Sequence, residues 1–168
     1  MKFSILTIYL FIFVFSSNLT AQYCDTDLKD LAKDVAEKID SKGIERVAVW
    51  GFFTEQKEHK SFQHYIRDDF SIYLANNAEK FAVIDRQHLE LLLKEHYLNF
   101  EGYIDAKTTK KLGKVSAVDG VVIGTYIILN NKIHIRIKVL DTETALHFAG
   151  AIGDLPINDD IAKMLGKL

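Results

Sequence analysis

An α/β (α+β) fold, with a single mixed sheet of about five strands flanked by helices and a C-terminal antiparallel meander, is what this 168-residue sequence predicts. Three observations carry that expectation. Val47-Ala48-Val49-Trp50-Gly51-Phe52-Phe53 and Phe81-Ala82-Val83-Ile84-Asp85 are short, nearly continuous apolar runs, the pattern of strands covered on both faces. Helical patterns separate these runs from one another. Finally, Ile133-His134-Ile135-Arg136-Ile137-Lys138-Val139 alternates strictly between apolar and polar, the period of a strand with one face on the core and one in water.

Lys2 precedes a nearly unbroken apolar run from Ile5 to Phe15, followed by the polar stretch Ser16 to Gln22, which reads as a secretory signal peptide over 1–21. The run is short of the roughly 20 residues needed to cross a bilayer. Cleavage is placed after Ala21, although Leu19 departs from the small-x-small pattern. Residues 22–27 then form a flexible mature N-terminus, and residues 28–168 a single domain. Cys24 follows Tyr23, where a lipidation signal requires a small residue, so a lipoprotein form is not expected. Without the signal the balance is 20 Lys plus Arg against 23 Asp plus Glu, which gives no basis for nucleic-acid binding.

Leu28, Leu31, Val35 and Ile39 recur at helical spacing, and Gly43 stops that helix. Residues 47–53 form the first strand, in the sheet interior. Ser61 is placed as the cap of a second helix with Phe62, Tyr65, Ile66, Phe70, Tyr73 and Leu74 on one side, ending at Asn76-Asn77. Residues 81–85 are then a second buried strand, and a third helix runs from Asp85 to about Leu98. Asp105 caps a fourth helix ending at Gly113. Val118 to Leu129 is a strand, Asn130-Asn131 a hairpin turn and 133–139 the next strand. Asp141-Thr142-Glu143-Thr144 turns into a last strand, Ala145 to Leu155, which Pro156 ends. Asn158 caps a short terminal helix through Leu165.

No catalytic, cofactor-binding or metal-binding residue is assigned. His88 and His96 lie two helical turns apart, too far to share an ion, and Leu92 stands where an H-x-x-E-H pattern needs its first histidine. His96 instead continues the Leu89, Leu92, Leu93 stripe of a core-facing helix. His59 and His64 form no cluster, and His134 and His147 can meet across the last hairpin as a surface pair. No G-x-S-x-G elbow surrounds Ser61, Ser71 or Ser116. Gly120 and Gly124 lie inside a strand, where they permit close packing, so no phosphate loop is expected and no cofactor is implied. Asp85 reads as a strand-end helix cap, not a catalytic acid paired with Glu95. Lys107, Lys110, Lys111 and Lys114 form a solvated basic face, with anionic lipid, glycan or an acidic protein as alternatives.

The phrase Val83-Ile84-Asp85-Arg86, then Leu89, Leu92-Leu93-Lys94-Glu95, Ile104-Asp105, Lys111-Leu112-Gly113 and Leu140-Asp141-Thr142-Glu143-Thr144, resembles the FlgO domain family. That family lies within the wider superfamily of CsgG, LpoB and the TolB amino-terminal domain. The similarity covers about residues 28 to 155, with Ala145 standing where the family usually has glycine. It implies an exported, non-enzymatic accessory protein acting by protein–protein interaction in outer-membrane or periplasmic assembly, whether flagellar, secretion or wall-synthesis related. Its expected partners are envelope or outer-membrane proteins, and a homo-oligomer or peripheral membrane association stays open. The alternative is a subunit of a CsgG-like secretion assembly, although the connections 54–60 and 99–103 are too short for membrane hairpins whose strands need about 9 to 11 residues each.

Overall fold

The structure is a computed structural model that describes residues 27–85, 87, 89–91 and 105–167. The expected signal peptide, Cys24, His88, Glu95, His96, the rest of the 85–98 helix and the 99–103 connection lie outside those residues. The described elements are α1 (Leu28–Lys42), β1 (Arg46–Phe53), α2 (Lys60–Asn77), β2 (Ala82–Ile84), α3 (Ala106–Ser116), β3 (Gly120–Ile128), β4 (Lys132–Asp141), β5 (His147–Pro156) and α4 (Asp159–Met164). Residues 87 and 89–91 are also helical. The strands form one sheet in the order β2-β1-β3-β4-β5, with β1 parallel to both neighbours and β3, β4 and β5 an antiparallel meander.

The larger apolar layer joins Val47, Val49, Val122, Tyr126 and Ile133, Ile135, Ile137 and Val139 of the sheet to Leu31, Val35 and Ile39 of α1 and to Phe62, Ile66, Phe70 and Leu74 of α2. Each fully buried aliphatic side chain here contributes about 1.5 to 3 kcal/mol relative to exposure. A register shift between Val49 and Gly51 lets Phe52 join the same layer as Val49, which plain alternation forbids. Phe52 meets Phe70 edge to face, with ring centroids 5.5 Å apart. The smaller layer, on the opposite face of the sheet, joins Ala48, Trp50, Val121 and Ile123 to Leu89, Leu112 and Val118.

The α1 helix follows its sequence pattern and stops at Gly43, whose φ of 76° is the left-handed conformation glycine adopts without penalty. It packs on β5 as well as on α2. From it, the Lys38 ammonium reaches the Gly150 carbonyl of β5 at 2.7 Å while pairing with Asp34 at 2.7 Å. Asn158 caps α4 through a 2.9 Å bond from the Ile161 N–H, as its position predicts.

Several elements differ from the sequence expectation. Ser61 does not cap α2: the helix already includes Lys60, and His59 occupies the cap position without a side-chain bond. The second strand has three residues, and only its preceding Phe81 is buried; Ala82 is exposed because β2 is the sheet edge. β3 starts at Gly120 and β5 at His147, two residues later than expected in each case. α3 runs past Gly113 to Ser116, and Ala117 takes the left-handed turn with φ 51°. Gly113 has a packing task instead. A Cβ there would lie 2.5 Å from both Cβ and Oγ1 of Thr142.

Candidate interaction face

Strand β4 sets up the most exposed chemistry of the sheet. Its apolar residues face the α1/α2 layer, so Lys132, His134, Arg136 and Lys138 project from the other face. Over β1 and the first half of β3 that face is covered, through Leu112 and Leu89. Beyond Ile123 it opens.

The register defines the open area row by row. Lys138 stands between Ile123 and Gly150, Arg136 between Thr125 and Ile152, and His134 between Ile127 and Asp154. Ile152 is 67% exposed and Ile127 is 37% exposed, so the floor mixes isolated apolar side chains with cations. Asp154, whose side chain is only 14% exposed, joins Lys132 Nζ at 2.8 Å and His134 Nδ1 at 2.7 Å. Arg136 and Lys138 are exposed and form no ion pair among the described residues.

Beside this floor stands α3, whose Thr109 and Leu112 are buried while Lys107, Lys110, Lys111 and Lys114 are exposed. Asp105 caps the helix, accepting the Thr108 N–H at 2.7 Å. The Thr108 N–H and hydroxyl, with Lys107 nearby, hold the Asp105 carboxyl below its ordinary value. At the other end, Thr142 Oγ1 donates to the Val118 carbonyl at 2.6 Å and so ties the β4–β5 turn to the segment entering β3. Asp141 organises that turn, accepting from Thr144 N at 2.7 Å, Thr144 Oγ1 at 2.9 Å and Glu143 N at 3.0 Å. The Thr144 N–H is the main cause that lowers the Asp141 pKa.

Concavities also lie elsewhere. A groove of about 360 Å³ runs along the β2 edge between Arg67, Asp68 and Ile72 of α2 and Asp85, Gln87 and Glu90. A cavity of about 310 Å³ is lined by Tyr65, Tyr73, Leu155, Asn158 and Ile161. Burial, then the carboxylate of Asp69, push the Tyr65 phenol pKa up.

The basic face of α3 is solvent-exposed, as its spacing predicts. Asp85 caps the following turn by accepting the Gln87 N–H at 2.8 Å. The expected His134–His147 pair does not form, because His147 lies opposite Leu140 and His134 opposite Asp154. The Lys132–Asp154–His134 cluster is what sequence reasoning missed. Its signal was a carboxylate in a strand whose partner carries alternating bases, readable only once the register is known. Among the described residues, no three His, Cys, Asp or Glu side chains are placed to hold a metal ion. No helix among them is long and apolar enough to cross a membrane.

Several solved structures share this fold. The C-terminal domain of LpoB from Salmonella enterica superposes with a TM-score of 0.62 at 13% identity, covering 78% of this chain and 99% of that one. The corresponding domain from Escherichia coli gives 0.61 at 13% identity over 78% of this chain and 99% of that one. The lipoprotein GNA1162 from Neisseria meningitidis gives 0.51 at 13% identity over 73% of this chain and 91% of that one. No curated protein matches the sequence. Residues 30–136, from α1 into the exposed rows of β4, match the family described as the curli production assembly/transport component CsgG, and the chain belongs to that family.

Proposed function

We propose that this protein is an exported, non-enzymatic accessory protein of the cell envelope, with a FlgO-like domain, that acts by binding other proteins at the periplasmic face of the outer membrane or in the periplasm. The observation that carries the reading is the CsgG family match over residues 30–136, a family described by assembly and transport. The fold is shared with the LpoB domain and with a lipoprotein, the latter agreeing with a place at the cell envelope. The N-terminal pattern of Lys2 and the apolar run 5–15 supports export.

The channel-subunit alternative is less well supported. Only residues 54–59 connect β1 to α2, fewer than one bilayer-spanning strand of about 9 to 11 residues requires. Fractionation of a tagged strain, followed by crosslinking and mass spectrometry, tests the reading. A processed chain in the periplasmic or outer-membrane fraction, crosslinked to an envelope protein, is the expected result. A cytoplasmic, unprocessed chain overturns it.

A further inference from the structure

We infer that the open face of β3, β4 and β5 seats an acidic amphipathic helix of another envelope protein, lying beside α3 and completing the second helical layer of the sheet. This rests on the protein-binding reading above and names where the partner sits and what its surface carries.

The two faces of the sheet are unequally covered. On one, α1 and α2 reach from β5 to β2. On the other, among the described residues, Leu112 and Leu89 pack with Ala48, Trp50, Val121, Ile123 and their neighbours, and Ile127, Arg136, Lys138 and Ile152 stay exposed. A helix is about 10 Å across, so α3 forms a wall of that height beside the β4–β5 floor. A second helix laid along that floor meets both Ile127 and Ile152.

The floor also specifies the chemistry of its occupant. Ile127 and Ile152 offer apolar contact on two strands, with Arg136 in the row between Thr125 and Ile152. Gly150 has no side chain to obstruct the neighbouring Lys138. Asp154 is already engaged by Lys132 and His134, leaving Arg136 and Lys138 as the cations that a partner's carboxylates would meet. Lys110 lies one turn from Gly113, which packs on Thr142 at the end of β4, and Lys114 follows Lys110 at i+4. The matching occupant is a helix with one apolar and one acidic stripe, and burying its charge opposite Arg136 favours specific pairing. A second copy fits poorly: the exposed side of α1 mixes Lys29, Lys33 and Lys38 with Asp30, Asp34 and Glu37, and α4 has only six residues.

The test places p-benzoylphenylalanine at Ile152, Ile72 or Leu146 of the full chain in its native cells, with adducts identified by mass spectrometry. The expected result is an adduct from position 152 to an acidic-sided helix of a different envelope protein. Its yield should fall about tenfold in Arg136→Glu/Lys138→Glu, and less in Arg136→Gln/Lys138→Gln, with the melting temperature unchanged. Protein adducts from 72 or 146 alone overturn this inference and leave the protein-binding function standing. An adduct from 152 to a second copy, to lipid or to a non-helical segment overturns the inference, as does a yield insensitive to charge reversal. No protein adduct from any of the three positions overturns both.

Discussion

Gly124 of β3 lies flat against the ring of Phe52 on the neighbouring strand, with no room for a side chain. A Cβ at Gly124 would overlap the Cδ1, Cε1 and Cγ atoms of that ring. Phe52 is itself held by Phe70 in an edge-to-face contact, so it has little freedom to retreat. Gly124→Ala should therefore destabilise the fold by about 2 to 3 kcal/mol, the upper part of the range for overpacking a filled core. Urea denaturation read by Trp50 fluorescence checks this. A loss below about 0.5 kcal/mol would show that the ring moves aside freely.

Ala145 and Ala117 adopt φ of 62° and 51°, conformations that crowd a Cβ against the backbone. Glycine removes that crowding but adds freedom to the unfolded chain, which offsets part of the gain. Each of Ala145→Gly and Ala117→Gly should raise stability by roughly 0.5 to 1 kcal/mol. A shift of the urea midpoint to higher concentration with an unchanged slope is the expected readout.

Tyr126 is 1% exposed, and its hydroxyl has no hydrogen bond of good geometry. Burial raises its pKa, with only partial relief from the nearby Gln63 side chain and His59 backbone. Tyr126→Phe keeps the ring against Phe62 and removes the unsatisfied oxygen. It should be neutral or stabilising by up to about 1 kcal/mol. A loss of more than that in a thermal melt would show that the hydroxyl makes a good bond in solution.

Asp141 gives the fold a pH dependence of known sign. Its pKa in the folded chain is held below the ordinary carboxylate value by the Thr144 N–H, so its contribution is fully present above about pH 4 and is lost as pH falls through the folded value. Asp141→Ala should cost about 1 kcal/mol at pH 7, the low end for bonds to a charged group because the turn is open to water. The gap from the parent should close as the pH is lowered from 4 toward 2. Paired urea melts across that range measure it; a gap independent of pH would assign the effect to turn geometry alone.

Some of this architecture is legible in residue spacing because the cause is local. The period of Leu28, Leu31, Val35 and Ile39, the stop at Gly43 and the alternation of 133–139 each depend only on neighbours in the chain. Other features depend on what lies alongside. The run 81–84 reads as buried, yet whether a strand has one neighbour or two is decided by the whole sheet, and β2 has only β1. Gly113 looks like a helix stop, but Thr142 fills the space a side chain would occupy, a contact spanning the sheet meander. The candidate face divides in the same way. The wet side of β4 follows from alternation, whereas the pairing of His134 with Asp154 in place of His147 depends on the register of the β4–β5 hairpin, which sets His147 opposite Leu140 at its far end.

The bond from Lys38 to the Gly150 carbonyl has a consequence for life in a crowded compartment. β5 is ten residues long and has β4 on one side only, so its other margin is a row of backbone groups that another strand could join. Lys38 places a cation over that margin and occupies one of its acceptors, while Asp34 steadies the ammonium. An incoming strand must displace a bonded charge to form the rung at Gly150. The chain thereby guards its longest open margin against edge-to-edge aggregation while leaving the broad face of the meander free.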